Sequence, residues 1–230
     1  MEIKRITKND PEFPRKLMSN NIEELYYIGD ISLLSENSTV VSLIGRRDAD
    51  EAIYSIAKRC GRIFAECDIV TLNGLAIGCD TAGLEGALSI GGKCVAVMPC
   101  GLDYIYPKCN VVLVKKILGN GGCMISEYPP GTRPEKWRFV ARDKIQAQLS
   151  DKILVVDCEE KGGTMYAVRE GARLNKDIGC IVRVKIPVIS SGNQCMIQDY
   201  HADGIKSENA LRSFLQANHA WFHMGTNLAH

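Results

Sequence analysis

The sequence predicts a doubly wound α/β fold, an extended Rossmann-like architecture with a mostly parallel sheet and helices on both faces. Short apolar segments alternate with segments in which apolar residues recur every three or four positions. This is the pattern of buried strands that alternate with amphipathic helices. Because each connection is long enough to hold a helix, consecutive strands are expected to run parallel, and the helices are expected to cover both faces of the sheet.

Six strands are expected in chain order, because each segment is short and apolar, as central parallel strands are. They are VVSLI (40–44), IVTL (69–72), CVAVM (94–98), CMIS (123–126), KILVV (152–156) and IGCIV (178–182). Helical periodicity predicts helices at 50–66, 80–90, 110–118, 142–149 and 164–174. A last helix, from 207 to 217, is expected to begin at Ser207.

The alternating pattern also predicts the domain organisation. Residues 39–185 are expected to form the Rossmann-like core, and residues 1–38 a lead-in that packs on it, since Pro11 and Pro14 interrupt any early helix. Residues 186–230 are interpreted as a C-terminal extension that ends in the last helix and is too short to be a winged-helix domain.

Composition limits the classes of function. The 230 residues fit one large α/β domain, and 28 Lys+Arg against 27 Asp+Glu give a net charge of +1. A nucleic-acid site must therefore be a local patch. No apolar run approaches the roughly 20 residues of a membrane span, and the N-terminus lacks the apolar stretch of a signal peptide, so a cytoplasmic protein without a membrane partner is expected.

The ten cysteines are scattered along the chain and form no CxxC pair. They are interpreted as reduced, buried apolar side chains, and neither a metal site nor a cofactor is expected. His219 and His223 stand one helical turn apart, but no acidic residue lies between them as in a metalloprotease helix.

The segment TLNGLAIGCDTAGLEGAL (71–88) reads as a strand, a glycine turn and a helix. Gly74 and Gly78 suit a tight turn and a close backbone approach, and Asp80 is expected at the N-cap, accepting from first-turn N–H groups. Such turns often bind phosphate at the helix N-terminus. An ordinary strand-to-helix turn with a capped helix fits the segment as well.

Residues that follow parallel strands are expected to meet at one edge of the sheet, where ligands of doubly wound folds bind. In this chain they include glycines, cations and helix starts, which together favour an anion site. Thr164 is a further possible helix cap. The candidates are Gly45, Arg46, Arg47, Asn73, Gly74, Ala76, Gly78, Asp80, Gly101, Lys161, Gly162, Gly163 and Thr164.

Six segments carry a resemblance to a known family: VVSLIGRR, TLNGLAIGCDTAGLEGAL, GGKCVAVMPCGLDYIYPKCN, GGCMISEYPPGTRP, FVARDKIQAQLSDKILVVDCEEKGG and TMYAVREGARLNK. In order and spacing they resemble the DprA family, also called Smf, from about residue 40 to 182. The resemblance implies an extended Rossmann fold that binds single-stranded DNA, usually as a homodimer. It further implies delivery of the strand to a RecA-type recombinase, with no well-established catalytic chemistry.

The resemblance adds Arg142 and Lys144, which correspond to the family's paired basic residues before Leu149-Ser150. This chain has Arg-Asp-Lys where the family has Arg-Asn-Arg, so Asp143 is expected to offset part of the positive charge. Arg46 and Arg47 would present forked donors to a phosphate. Arg46→Ala and Arg142→Ala are expected to weaken DNA binding without unfolding the protein, although each cation also fits a solvated surface charge.

Four aromatic residues, Tyr104, Tyr106, Tyr128 and Trp137, lie in the predicted loops near the same edge. They fit two roles: stacking on the bases of a single strand, or packing within their own loops.

The alternative hypothesis is a nucleotide-binding enzyme or sensor similar to the LOG-type phosphoribohydrolases. Those enzymes carry a glutamate three residues past the threonine of a glycine-rich loop, and here Ala167 stands at that distance from Thr164. Glu127, Asp157 and Glu170 are the acids that such chemistry would have to use. A ligand-sensing module of a larger system is a third hypothesis.

Overall fold

A sheet forms the centre of the molecule. The computed structural model describes residues 2–19, 21–183 and 189–217, and within these ranges nine strands join in one sheet. The strands are β1 (Lys4–Thr7), β2 (Glu24–Gly29), β3 (Val40–Ile44), β4 (Val70–Asn73), β5 (Cys94–Val97), β6 (Cys123–Ser126), β7 (Lys152–Val155), β8 (Asp177–Ile181) and β9 (Asp203–Ile205).

The spatial order of the strands is β1-β2-β6-β5-β4-β3-β7-β8-β9. Strands β3 to β9 run parallel, while β1 and β2 pair antiparallel at one side. From β3 the chain builds the sheet in one direction through β4, β5 and β6, and then returns to place β7 on the other side of β3. The predicted doubly wound α/β fold is confirmed, and its topological switch point lies between β3 and β7.

Helices cover both faces of this sheet. Val41 and Leu43 of β3 pack on the side that holds Phe64 of the first helix, whereas Val40 and Ile44 face the opposite side. This alternation is that of a buried strand. The α-helices of the described ranges are α1 (Glu51–Glu66), α2 (Cys79–Leu88), α3 (Val111–Gly119), α4 (Lys136–Leu149), α5 (Thr164–Arg173), α6 (Ser191–Asp199) and α7 (Glu208–Gln216).

Four of the strands and α-helices in the described ranges were not predicted from the sequence: β1, β2, β9 and α6. In addition, α4 begins at Lys136 rather than at residue 142. The prediction missed its first turns because they expose polar and aromatic side chains and show no apolar periodicity. The last helix is confirmed, and the Ser207 hydroxyl accepts a hydrogen bond from Ala210 N–H at 3.2 Å. The predicted boundary near residue 185 and the pair His219 and His223 lie outside the described residues.

The cysteines are free thiols, and seven of the ten are buried: Cys60, Cys79, Cys94, Cys100, Cys123, Cys158 and Cys180. Burial raises the pKa of the Cys60 thiol to about 12, so it stays protonated as an apolar side chain. Across the described part of the chain, no helix combines the length and the apolar character that crossing a membrane requires.

Candidate anion-binding cleft

A cleft of about 380 Å³ opens at the switch point, beyond the carboxyl ends of β3 and β7. The first turns of α2 and α5 and the middle of α4 complete its walls. We call it the switch cleft. It brings together nine of the predicted site residues: Gly45, Arg46, Arg47, Ala76, Asp80, Arg142, Gly162, Gly163 and Thr164.

The other candidates lie elsewhere. Asn73, Gly74 and Gly78 are part of the framework behind the cleft. Gly101 belongs to the loops that follow β5 and β6, where its N–H donates to the carbonyl of Thr132. Lys161 is exposed, and Lys144 is on the side of α4 that faces away from the cleft. Neither lysine lines the switch cleft, and Gly101 does not line it either.

Backbone hydrogen bonds join the loops that follow β3, β4 and β7. Arg46 N–H donates to Asp157 O at 2.8 Å, and Cys79 N–H donates to Arg46 O at 3.1 Å. Gly78 has φ +79°, and a Cβ at this position would lie 2.4 Å from Arg46 O and 2.5 Å from Arg47 O. Only glycine fits here, because both the backbone conformation and the neighbouring carbonyls exclude a side chain.

We therefore expect Gly78→Ala to lower the free energy of unfolding by about 2 kcal/mol or more, from the left-handed backbone and the backbone overlap together. Gly163→Ala is the matched control, because a Cβ there would meet no atom within 4 Å and the residue already has φ −59° and ψ −33°. Its unfolding midpoint in urea should be unchanged or slightly raised. Equal midpoints for the two variants would contradict this account.

Carboxylates surround Arg46. Its Nε and Nη2 donate to the two oxygens of Asp48 at 2.9 and 3.1 Å, and its Nη1 donates to Asp157 Oδ2 at 3.2 Å. Glu159 lies 3.6 Å from the same Nη1. The hydrogen bonds with Asp48 raise the pKa of Arg46, so the side chain stays charged. The guanidinium thus already has carboxylate partners, and its hydrogen bond to Asp157 links the end of β3 to the end of β7.

Arg47 has a different environment. Its side chain is exposed, and in the described part of the chain it forms no ion pair. The guanidinium carbon lies 5.6 Å from the centre of the Phe139 ring, and Phe139 in turn meets Tyr106 edge-to-face, with ring centres 5.4 Å apart. Arg47 therefore offers a forked cation next to an aromatic pair at the mouth of the cleft.

Arg142 is buried, with 4% of its surface exposed. Its guanidinium lies directly against Gly74, where a Cβ would be 0.9 Å from Nη1. Nε is 3.0 Å from Asp143 Oδ1, although within the described residues it makes no hydrogen bond. The expected offset of charge by Asp143 thus has a direct structural basis, because this carboxylate lies beside the arginine.

Asp80 is not the N-cap of α2, and that prediction is wrong. Gly78 occupies the N-cap, and the Asp80 carboxylate accepts instead from the loop amides of Gly74 at 3.0 Å and Ala76 at 3.3 Å. These two amides are consequently not free for a phosphate. Burial raises the pKa of Asp80 to about 6, and the positive charge of Arg142 opposes that rise.

This raised pKa predicts a pH dependence of stability. The folded state holds the Asp80 proton more tightly than the unfolded chain does, so the free energy of unfolding should fall as pH rises from about 4 to about 6. The contribution is about 3 kcal/mol at most. Asp80→Asn keeps an acceptor for the loop amides and should remove that fall. Urea unfolding of both proteins at pH 4, 5 and 6 tests it, and parallel pH profiles would contradict it.

Buried polar side chains hold the glycine turn. Asn73 Oδ1 accepts from Leu75 N–H at 3.0 Å, while its Nδ2 donates to Asp80 O at 3.0 Å. Asn110 Nδ2 donates to Leu75 O at 2.9 Å. Thr164 is the first residue of α5 and not its cap, which corrects the prediction, and its hydroxyl donates to Gly45 O at 3.2 Å.

Sequence reasoning missed Phe139, Asn110 and Gln146 as parts of this region. Phe139 had a usable signal, since it lies three residues before Arg142 and therefore on the same side of α4. Asn110 had none, because its partners, Leu75 and Thr81, are distant in sequence.

Comparison with known proteins identifies the family of this chain. Residues 4–216 match the family model of DNA recombination-mediator protein A. The chain belongs to this family.

Members of the DNA recombination-mediator protein A family resemble the chain over most of its length. The Smf protein of Synechocystis is 29% identical over 217 residues, 92% of this chain and 54% of that protein. The DNA processing protein DprA of Streptococcus pneumoniae is 32% identical over 176 residues, 76% of this chain and 61% of that protein. The chain thus spans little more than half the length of these relatives.

A solved structure of a family member has the same fold. DNA processing protein A from Helicobacter pylori superposes with a TM-score of 0.81 and 26% identity, covering 93% of this chain and 96% of that one. That structure concerns the single-stranded DNA binding mode of the H. pylori protein. The predicted resemblance to the DprA/Smf family is confirmed.

Among the described residues, none of the three acids proposed for nucleotide hydrolysis lines the switch cleft. Asp157 is bound to Arg46, and Glu170 forms a 2.7 Å ion pair with Arg173. Glu127 lines a separate groove beside α4. A general acid and base must reach the substrate, so the position of these acids outside the switch cleft does not favour the hydrolase alternative.

Proposed function

We propose that this chain binds single-stranded DNA at the mouth of the switch cleft. The observation that carries the proposal is Arg47, an exposed cation without an ion pair in the described residues, next to the aromatic pair of Phe139 and Tyr106. A phosphate needs a forked donor, and an unpaired base needs an aromatic face. The H. pylori relative, whose structure concerns single-stranded DNA binding, supports the same ligand.

The first turn of α5 supplies further support. Gly163 and Thr164 line the cleft at the N-terminus of this helix, where backbone N–H groups and the helix dipole favour an anion. The deeper wall is less favourable for a phosphate, because Asp80 and Asp143 lie there beside Arg142. We therefore place the phosphates at the outer edge of the cleft, between Arg47 and α5.

Family membership also supports a proposal for the biological role. We propose that the protein acts in the cytoplasm during DNA uptake or recombination, as a homodimer that delivers single strands to a RecA-type recombinase, and that it has no catalytic step. The family's description as a recombination mediator supports this role. Since the chain covers 54% and 61% of the two relatives described above, the activities of the complete relatives are part of the proposal.

A mobility-shift experiment tests the ligand. A labelled single strand should be shifted by the protein and displaced by the same unlabelled strand, but not by the duplex of that sequence. Displacement by free nucleotides at comparable concentration would instead support the nucleotide-binding alternative, and the absence of a shift at low salt would contradict the proposal.

A further inference from the structure

A second groove, of about 570 Å³, lies along the side of α4 that faces away from the switch cleft. We call it the α4 groove. One wall is formed by α4 and includes Trp137, Lys144 and Gln148. The rest of the lining includes Asn21 and Ile22 of the N-terminal segment, Glu127 after β6, and Tyr166 of α5.

Two large aromatic side chains are exposed at this groove. Trp137 is 56% exposed and Tyr166 is 46% exposed. The indole is nevertheless fixed in position: Nε1 donates to Glu135 Oε2 at 2.8 Å, and the Arg138 guanidinium lies 4.9 Å from the ring centre. A fixed aromatic ring with a large accessible area is the structure on which an unpaired base stacks.

Polar groups of the groove can bind the phosphate and the base edge of a nucleotide. Lys144 is exposed and provides a cation for a phosphate. Glu127 has a buried carboxylate oxygen, Oε1, without a hydrogen-bond partner in the described residues. An unsatisfied buried acceptor is costly, and the N–H groups on the Watson–Crick edge of an unpaired base, which include N3–H of thymine, can donate to it.

Helices α4 and α5 contribute residues to both the α4 groove and the switch cleft. On α4, Asp143 lines the cleft and its neighbour Lys144 lines the groove; on α5, Thr164 lines the cleft and Tyr166 lines the groove. A strand that crosses α4 or α5 from the cleft would therefore reach the aromatic side chains of the groove.

We propose that the α4 groove is a second binding site for the same single strand, where unpaired bases stack on Trp137 and Tyr166 and a phosphate lies near Lys144. This inference rests on the proposed function and extends the DNA path beyond the switch cleft. The recognition is by stacking, so it requires bases but little sequence specificity.

Tryptophan fluorescence provides the test. The chain has two tryptophans, and Trp221→Phe leaves Trp137 as the only one. Titration with an oligothymidine long enough to span both sites should quench Trp137 emission, whereas an abasic strand of equal length should not. Trp137→Leu should weaken oligothymidine binding about tenfold, and Trp137→Phe should restore most of it. Val112→Ala, on the exposed surface of α3, is the control and should bind as the parent does.

The outcomes separate the two proposals. If oligothymidine binds and Arg47→Ala weakens it, but Trp137 emission and Trp137→Leu affinity are unchanged, the groove inference is overturned and the proposed function stands. If the abasic strand quenches and binds equally, base stacking in the groove is overturned. If no strand binds at all, both proposals fail.

Discussion

Arg142→Ala is expected to lower the free energy of unfolding by about 3–5 kcal/mol, because it leaves buried acids without their cation. The Arg142 side chain is 5% exposed, lies against Gly74 and has Asp143 Oδ1 3.0 Å from its Nε. The positive charge of Arg142 also opposes the rise in the pKa of buried Asp80, and this pKa would increase further in the variant. Urea unfolding at pH 7, monitored by circular dichroism, measures the loss.

Two variants define the cause of that loss. Arg142→Lys keeps the charge and should recover part of the stability, although not the planar contact against Gly74. Adding Asp80→Asn to Arg142→Ala removes a buried ionisable carboxyl that has lost its cation and should also restore part of the stability. An unchanged urea midpoint for Arg142→Ala would show that the arginine is only a ligand contact, as the sequence alone suggested.

Arg47→Ala is expected to weaken binding of a single strand at least about tenfold, since a charge-assisted hydrogen bond to phosphate contributes about 1.5–3 kcal/mol. The variant should fold normally, because this exposed side chain contacts the protein chiefly through the Phe139 ring. Fluorescence anisotropy with a labelled oligothymidine measures the affinity, and a thermal melt verifies the fold.

Lys115→Ala is the matched control for Arg47→Ala, because it also removes one exposed cation but from α3, away from the switch cleft. Its affinity should stay close to that of the parent. If both variants lose affinity equally, binding depends on overall charge rather than on the cleft, and the assignment of Arg47 is wrong.

The central strands were predictable from sequence because they are fully buried. Every residue of strands β3 to β7 is buried and most of them are apolar, which is the clearest signal that a parallel sheet produces. By contrast, β1 exposes Lys4 and Arg5 and only Ile6 is buried, so its four residues carry little periodicity. Its partner β2 joins the sheet by pairing with β6, which is far from both segments in sequence.

The sequence predicted which residues lie near the candidate site, because they follow the strands in chain order. It did not predict the environment of each side chain. Arg46 and Arg47 are adjacent in sequence, yet one is held by carboxylates and the other is exposed. Arg142 and Lys144 are two residues apart on α4, a spacing that places them on different sides of a helix.

Binding of labelled oligothymidine at about 50 and 200 mM salt tests the central claim most directly. If a single strand is held by phosphate contacts at the mouth of the switch cleft, the unmodified protein binds at low salt, loses affinity steeply at the higher salt, and is not displaced by free nucleotides. Absence of binding at low salt, or an affinity that salt leaves unchanged, would contradict it.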